Sequence, residues 1–365
     1  MARLSKIIPD IIRNRHRWEQ HLPKLDGDLF SGLTSELRTS VCGVGGDKLS
    51  EVVGFGSNPG NLRMLKYIPE GLARSAPLVV LLHGCTQTAA GYDLGSGWSR
   101  LAKQHGFGLL LPEQQRTNNP NMCFSWFQTA DTERNAGEAL SIRQMIESVT
   151  TEHKFDAKQT YITGLSAGGA MTSAMLAVYP EVFAGGAIIA GLPFRAASNV
   201  QEAFSAMSGG SSSMSSMLPA GLGMGQLGSG QRSAGSWGDA VRAASPYSGP
   251  WPKISIWHGD ADATVNVSNG HAIAQQWCDV HGVPGNAAVK TKVDGHQRSA
   301  WVDAKGATII EAYSIKGLGH GVPIDFRGRN GEPCGLPDAF FLDAGIGSTS
   351  HIAKFWGLTG AARKR

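Results

Sequence analysis

The sequence predicts an α/β fold in which helices cover both faces of a mostly parallel β-sheet. From residue 61 onward, short apolar runs alternate with segments of helical periodicity, as in folds built from repeated strand-helix units. The runs Pro77–Leu82 and Phe107–Leu111 are apolar at nearly every position, which is typical of parallel strands buried on both sides. A serine flanked by glycines also lies where a predicted strand passes directly into a predicted helix. These three observations favour an α/β domain over an all-helical or all-strand one.

Apolar runs bounded by polar, glycine or proline residues give the strands, in chain order. They are Asn61–Ile68, Pro77–Leu82, Phe107–Leu111, Gln159–Thr163, Gly186–Ala190, Lys253–Trp257 and Ala307–Ile315. The helices are segments whose apolar residues recur at roughly helical spacing, as Ala139, Ile142, Ile146 and Val149 do. They are Trp98–His105, Asn135–His153, Ala167–Tyr179 and His271–Val280.

Three further segments complete the predicted organisation around a catalytic domain at residues 61–357. Residues 1–60 form an N-terminal arm, whose isoleucines at 7, 8, 11 and 12 predict an amphipathic helix. We expect this helix to pack on the main domain, and the alternative is contact with a hydrophobic granule surface or membrane. Residues 205–238, rich in Ser, Gly and Met, form an insertion that is either a flexible loop or a mobile cap. Residues 358–365 form a basic tail.

Composition excludes several classes of protein. With 33 Lys and Arg against 29 Asp and Glu, the formal charge is only +4, so nucleic acid is not expected as a partner. No apolar run approaches the ~20 residues of a membrane span, and no signal peptide is evident, which predicts a cytoplasmic protein. The five cysteines include no CxxC pair, so neither a zinc site nor a disulfide framework is expected. Whether Cys85 and Cys123 pair with each other stays open.

Ser166 is the predicted nucleophile. It is the central residue of Gly164-Leu165-Ser166-Ala167-Gly168, the only G-x-S-x-G of the chain, between the strand Gln159–Thr163 and the helix Ala167–Tyr179. This context matches a nucleophile elbow, a strained turn that exposes a serine hydroxyl at the amino end of a helix. A simple glycine-rich turn is the alternative.

A serine nucleophile needs a base and an acid, and in this type of site they follow it in the order acid, then histidine. His320, between two glycines after the last predicted strand, is the predicted base. Asp262, in the loop after Lys253–Trp257, is the predicted acid, and Asp260 in the same loop is the competing choice. Asp260 is better suited to shaping the turn.

The backbone amides of Ala167 and Cys85 are the predicted oxyanion donors. Ala167 follows the nucleophile, and Cys85 lies in the loop after Pro77–Leu82. His83, at the start of that loop, is expected to brace it. Trp126 and Phe127 either line the substrate pocket or pack in the core.

Together, these segments resemble the poly(3-hydroxybutyrate) depolymerase family of esterases, relatives of feruloyl and acetylxylan esterases. The resemblance extends over Asn61 to Phe355 and is carried by LHGCTQTAAGYD, GLSAGGAM, NPNMCFSWF, WHGDADATV and GLGHGVPID. It implies an α/β-hydrolase fold and carries the nucleophile, acid and base roles to Ser166, Asp262 and His320, with Cys85 at the oxyanion loop. Many members are extracellular, which is the alternative to a cytoplasmic location.

We therefore expect a serine carboxylic ester hydrolase that needs no metal or organic cofactor. The expected substrates are 3-hydroxybutyrate oligomers or polyester, and the alternative is an esterase for feruloyl, acetyl or other short acyl groups. From another class, a non-catalytic protein that coats a hydrophobic granule is the alternative hypothesis.

Overall fold

The computed structural model describes residues 49–209, 234–329 and 335–359. The predicted N-terminal amphipathic helix, most of the insertion and most of the basic tail lie outside the described residues. The helices that border the gap after residue 209 end at Met207 and begin at Ala234, so both ends of the predicted insertion are helical. No helix among the described residues is long and apolar enough to cross a membrane.

A ten-stranded sheet forms the centre of the described structure, in the order β1-β2-β4-β3-β5-β6-β7-β10-β9-β8. Strands β4, β3, β5, β6, β7 and β10 run parallel, and the pairs at the two sides of this group are antiparallel. The ten strands are β1 Ser50–Val52, β2 Arg63–Tyr67, β3 Leu78–Leu82, β4 Gly108–Glu113, β5 Thr160–Leu165, β6 Gly185–Ile189, β7 Lys253–Gly259, β8 Val289–Val293, β9 His296–Val302 and β10 Thr308–Ile315. Two short strands, β11 Val322–Ile324 and β12 Phe341–Asp343, pair separately.

Nine α-helices occur among the described residues. They are α1 Ala89–Ser96, α2 Trp98–His105, α3 Thr129–Thr132, α4 Gly137–His153, α5 Ala167–Val178, α6 Val200–Met207, α7 Ala234–Arg242, α8 Ser268–His281 and α9 Ser348–Trp356.

Helices bury both faces of the sheet. Along β3, Leu78, Val80 and Leu82 belong to one core cluster, which includes apolar residues of α4, α5 and α8. Val79 and Leu81 belong to a second cluster with residues of α2 and α9. The alternation follows from the two-residue period of a strand, and it explains why β3 reads as apolar throughout. The α/β prediction, with helices on both faces, is confirmed.

The strands that were not predicted from the sequence are mostly exposed or short. β8 and β9 form an antiparallel hairpin around Asp294 and Gly295, and all but the last residue of β8 is exposed. An edge strand of this kind lacks the continuous apolar run that identifies a buried strand. β1 pairs with β2 and so places part of the segment predicted as arm in the sheet.

Candidate active site

Four of the predicted site residues follow strands of the parallel group. Cys85 follows β3, Ser166 follows β5, and Asp262 follows β7. His320 follows β10. Because the carboxyl ends of parallel strands meet at one edge of a sheet, this topology brings the four loops to the same side of the molecule.

Ser166 occupies a strained turn between β5 and α5. Its backbone has φ 57° and ψ −117°, a conformation that residues with a side chain rarely adopt. Its N–H donates to the carbonyl of Ile189 at the end of β6, at 2.9 Å. Strain of this kind persists where surrounding structure imposes it, and it is the geometry expected of a nucleophile elbow.

Two glycines allow the elbow to fit against neighbouring backbone. A Cβ atom on Gly164 would lie 2.4 Å from the carbonyl oxygen of Gly168, and one on Gly168 would lie 2.3 Å from that of Leu82. Atoms cannot approach so closely, so both positions require glycine. The G-x-S-x-G pattern therefore has a local steric cause, which connects the elbow to the end of β3.

Asp262 and His320 form a buried pair, with 2.8 Å between Oδ2 of the carboxylate and Nδ1 of the ring. The side chain of Asp262 is fully buried, and that of His320 is 7% exposed. The other carboxylate oxygen accepts hydrogen bonds from the backbone N–H groups of Thr264 and Val265, at 2.8 and 2.9 Å. The loop after β7 therefore holds the carboxylate in a fixed direction.

Burial by itself would raise the pKa of the Asp262 carboxyl. Three contributions outweigh burial and lower this pKa below its ordinary value. They are the hydrogen bond from His320, the positive charge of the protonated His320 ring and the hydrogen bond from the Val265 N–H. The carboxylate thus stays ionised at neutral pH. An ionised acceptor beside Nδ1 keeps the ring proton on that nitrogen and leaves Nε2 free to accept one.

Asp260, the competing choice for the acid, binds the backbone of another loop and not His320 among the described contacts. Its Oδ1 accepts a 2.6 Å hydrogen bond from the backbone N–H of Gly317 and so links two loops. Of the two carboxylates, only that of Asp262 contacts His320 among the described interactions.

The oxyanion loop, residues 83–87, holds several of its amides in hydrogen bonds. The N–H of Gly84 donates to the side chain of Gln87 at 2.7 Å, and that of Thr86 donates to the carbonyl of Asn121 at 2.6 Å. Among the described residues, neither Cys85 N–H nor Ala167 N–H has a protein acceptor. Ala167 is the first residue of α5, where a backbone N–H has no partner within the helix. Both predicted donors are therefore free to bind an anion.

His83 braces this loop, as expected from its position. Its Nε2 accepts a 3.0 Å hydrogen bond from the N–H of Gln114, so the ring proton lies on Nδ1 and donates to the carbonyl of Gly84 at 2.8 Å. Burial lowers the pKa of His83 and keeps the ring neutral. Because Gly84 C=O and Cys85 N–H belong to one peptide plane, fixing the carbonyl also fixes the amide.

A disulfide joins Cys85 to Cys123, with Cα atoms 4.3 Å apart. It connects the oxyanion loop to the loop after β4, a pairing that the sequence left open. The carbonyl of Cys123 accepts hydrogen bonds from Gln114 and Asn119, so the second loop is itself held firmly.

An apolar wall lies beside Ser166. Trp126, Ala167, Leu192 and Val265 belong to one buried cluster, and Phe127 packs against it together with Met207 of α6. Trp126 is 9% exposed and meets Phe127 edge-on. Trp126 thus lies in the cluster that includes Ala167, and Phe127 lies against it. Leu192, Val265 and α6 were not predicted as part of the site, because a single apolar residue after a strand resembles any core residue.

Ser166 and His320 make no hydrogen bond to each other among the described contacts. Catalytic hydrogen bonds are often long before substrate binds and shorten in the complex. The geometry therefore consists of a formed acid-base pair, a strained serine and two free amides, which together are the parts of a hydrolytic site.

Comparison with known proteins gives consistent matches. Residues 62–300 match the family described as Esterase PHB depolymerase. Poly(3-hydroxyalkanoate) depolymerase C of Paucimonas lemoignei is 42% identical over 313 residues, which are 86% of this chain and 70% of the relative. Feruloyl esterase B of Talaromyces stipitatus is 31% identical over 280 residues, covering 76% of this chain and 73% of that protein.

The solved structure of an acetyl xylan esterase from Aspergillus awamori shares the fold, with a TM-score of 0.67 and 23% identity over 85% of this chain and 99% of that one. With a family match over most of the sheet and a relative this similar, the chain belongs to the esterase PHB depolymerase family and is a carboxylic ester hydrolase with the α/β-hydrolase fold.

Proposed function

We propose that this esterase acts through an acyl-enzyme formed on Ser166, with His320 as the base and Asp262 as the acid that orients it. The observation that carries the proposal is the buried Asp262–His320 pair on the sheet edge where Ser166 also lies. The strained elbow and the free amides of Ala167 and Cys85 support it.

The reaction follows from these positions. Nε2 of His320 takes the hydroxyl proton as Ser166 Oγ attacks the ester carbonyl. The amides of Cys85 and Ala167 bind the oxyanion that develops, where preorganised donors are most effective. His320 then gives its proton to the departing alcohol. A water molecule repeats the attack on the acyl-enzyme and releases the acid.

We propose 3-hydroxybutyrate oligomers or polyester as the substrate class. The 42% identity to a poly(3-hydroxyalkanoate) depolymerase, against 31% to a feruloyl esterase, supports this choice. The apolar wall around Trp126 and Val265 suits a small aliphatic acyl group. A feruloyl, acetyl or short-chain acyl esterase is the second candidate, since the same catalytic groups serve all of these esters.

The nucleophile is tested with p-nitrophenyl butyrate and the variant Ser166→Ala. We expect this variant to lose activity by about 10⁴-fold or more, since no other nucleophile replaces the hydroxyl. Ser148→Ala, on helix α4 and outside the proposed site, is the matched control and should keep wild-type activity. Equal turnover by wild type and Ser166→Ala would disprove the assignment.

The substrate class is tested by comparing kcat/KM for hydroxybutyrate oligomers, methyl ferulate and acetylated xylan. We expect the oligomers to give the highest value. Preference for methyl ferulate or for acetylated xylan would establish the second candidate instead.

For location, the Cys85–Cys123 disulfide favours the extracellular alternative over a cytoplasmic one, because disulfides persist in oxidising compartments. Immunoblotting of the medium, envelope and cytoplasm of the producing cell tests this proposal, and an exclusively cytoplasmic protein would contradict it.

A further inference from the structure

His258 is a buried histidine beside Asp262, the proposed catalytic acid. It is the next-to-last residue of β7, and its side chain is 3% exposed. Its Nε2 lies 2.8 Å from the carbonyl oxygen of Val265 and 3.5 Å from Oδ2 of Asp262. The ring therefore faces the same carboxylate oxygen that binds His320.

The surroundings determine where the ring proton lies. Burial lowers the pKa of His258, so the ring is neutral and carries one proton. With that proton on Nδ1, the lone pair of Nε2 would face a carbonyl oxygen and a carboxylate, and both contacts would be repulsive. The proton therefore lies on Nε2, which donates to Val265 and presents a positive N–H dipole to Asp262.

The other ring nitrogen bears a cost that an apolar residue would avoid. Nδ1 is buried and has no hydrogen-bond partner among the described residues. It faces Gly270 of α8, where a Cβ atom would lie 3.2 Å away. An unsatisfied buried acceptor reduces stability, and a leucine would fill similar space without one. Such a cost is expected where a polar group serves the active site.

We propose that His258 is a positioning residue that holds the Asp262 carboxylate in line with His320, an inference that rests on the catalytic assignment proposed above. It acts in two ways. Its bond to the Val265 carbonyl fixes the peptide segment whose N–H groups bind Oδ1 of Asp262. Its N–H dipole lies 3.5 Å from Oδ2, the carboxylate oxygen that binds His320, and attracts that oxygen.

The test is a double-mutant cycle on kcat for p-nitrophenyl butyrate, using His258→Leu and Asp262→Ala. Groups that orient metal ligands contribute about 10-fold or more to activity, and His258 orients Asp262 in a similar way, so we expect His258→Leu to lower kcat by about that factor in the wild-type background. In the Asp262→Ala background the same change should alter kcat by less than about 2-fold, since the group it positions is gone.

Two variants separate positioning from simple packing. His258→Gln keeps an N–H donor near the Nε2 position and should recover most of the lost kcat. His281→Leu is the matched control, because the His281 ring also binds a backbone carbonyl, that of Pro252 at 3.0 Å, at a distance from the site. Its kcat per folded molecule should equal that of wild type. If His258→Leu does not fold, His258→Asn, which lacks a donor at the Nε2 position, replaces it in the cycle.

An equal loss of kcat in both backgrounds, or no loss in the wild-type background, would overturn the inference. Those results differ from the failure of the catalytic assignment itself, which would appear as full activity of Asp262→Ala alone.

Discussion

At the scale of a residue, two aspartates in one short loop have different hydrogen-bond partners and therefore different expected roles. Asp260 binds the backbone N–H of Gly317, whereas Asp262 binds the ring of His320. We expect Asp262→Asn to lower kcat by about 10³- to 10⁴-fold, because an amide no longer holds the required tautomer of the base. Asp260→Asn keeps an oxygen acceptor for Gly317 and should cost less than about 10-fold.

Steady-state kinetics on p-nitrophenyl butyrate, with circular dichroism to check folding, measures this difference. A larger loss for Asp260→Asn than for Asp262→Asn would exchange the two roles.

The sequence predicted those site residues whose neighbours in the chain are themselves part of the motif. Ser166 has diagnostic glycines on both sides, and their steric basis is visible in the contacts of Gly164 and Gly168. His258 has no such local signal. It stands at the end of an apolar strand, and its significance depends on Val265 and Asp262, which come near it only after the loop folds back.

At the scale of elements, the Cys85–Cys123 disulfide links the loop after β3 to the loop after β4. It closes a separation of 38 residues, and a cross-link of this length stabilises a fold by roughly 4 kcal/mol in the chain-entropy description. The same bond holds Cys85, whose N–H is a proposed oxyanion donor. Reduction should therefore affect catalysis as well as stability.

We expect the double variant Cys85→Ala/Cys123→Ala to lower kcat by about 10-fold or more, since the loss of one oxyanion donor costs about 10²- to 10³-fold and a displaced donor loses part of that. It should also lower the unfolding temperature by several degrees. Cys278→Ala is the control, because Cys278 is a buried free thiol of α8 outside the site. Kinetics and thermal unfolding with and without a reductant measure both effects, and unchanged kcat in the double variant would contradict the prediction.

Buried elements were the predictable ones. The limits of helix α2 match the predicted Trp98–His105, and strand β3 begins one residue after the predicted start. The hairpin of β8 and β9 was missed, because β8 has apolar residues only at its two ends, Val289 and Val293, and buries none of its residues. Its formation depends on pairing with β10 through β9, a tertiary contact that no local pattern records.

At the scale of the whole molecule, the buried side chain of Glu138 joins helix α4, the end of β4 and the loop that carries Trp126. Its carboxyl accepts hydrogen bonds from the Gln114 side chain at 2.6 Å and from the Ser125 N–H at 2.9 Å. Burial nevertheless raises the pKa of Glu138 from 4.5 to about 8, against the effect of those donors.

This shift makes folding stability depend on pH. Between about pH 4.5 and 8 the folded protein keeps a proton on Glu138 that the unfolded chain has released, so the contribution of this group to stability falls as the pH rises through that range. Glu138→Gln cannot ionise. We expect the unfolding temperature of this variant, relative to wild type, to increase steadily from pH 5 to pH 8.

Thermal unfolding at several pH values measures the difference. Glu147→Gln, an exposed position on the same helix, should show no such trend. A constant difference between Glu138→Gln and wild type across this pH range would show that Glu138 is ionised in the folded protein.

Strand β8 has a consequence for how the protein behaves at high concentration. Within the described residues it is the last strand of the sheet, and an unpaired edge can add the edge of another molecule and start aggregation. Lys290 and Lys292 are exposed on this strand, so two copies aligned edge to edge would bring like charges together. We therefore expect replacement of both lysines by uncharged residues to make the protein aggregate at lower concentration, so a redesign of this enzyme should keep them.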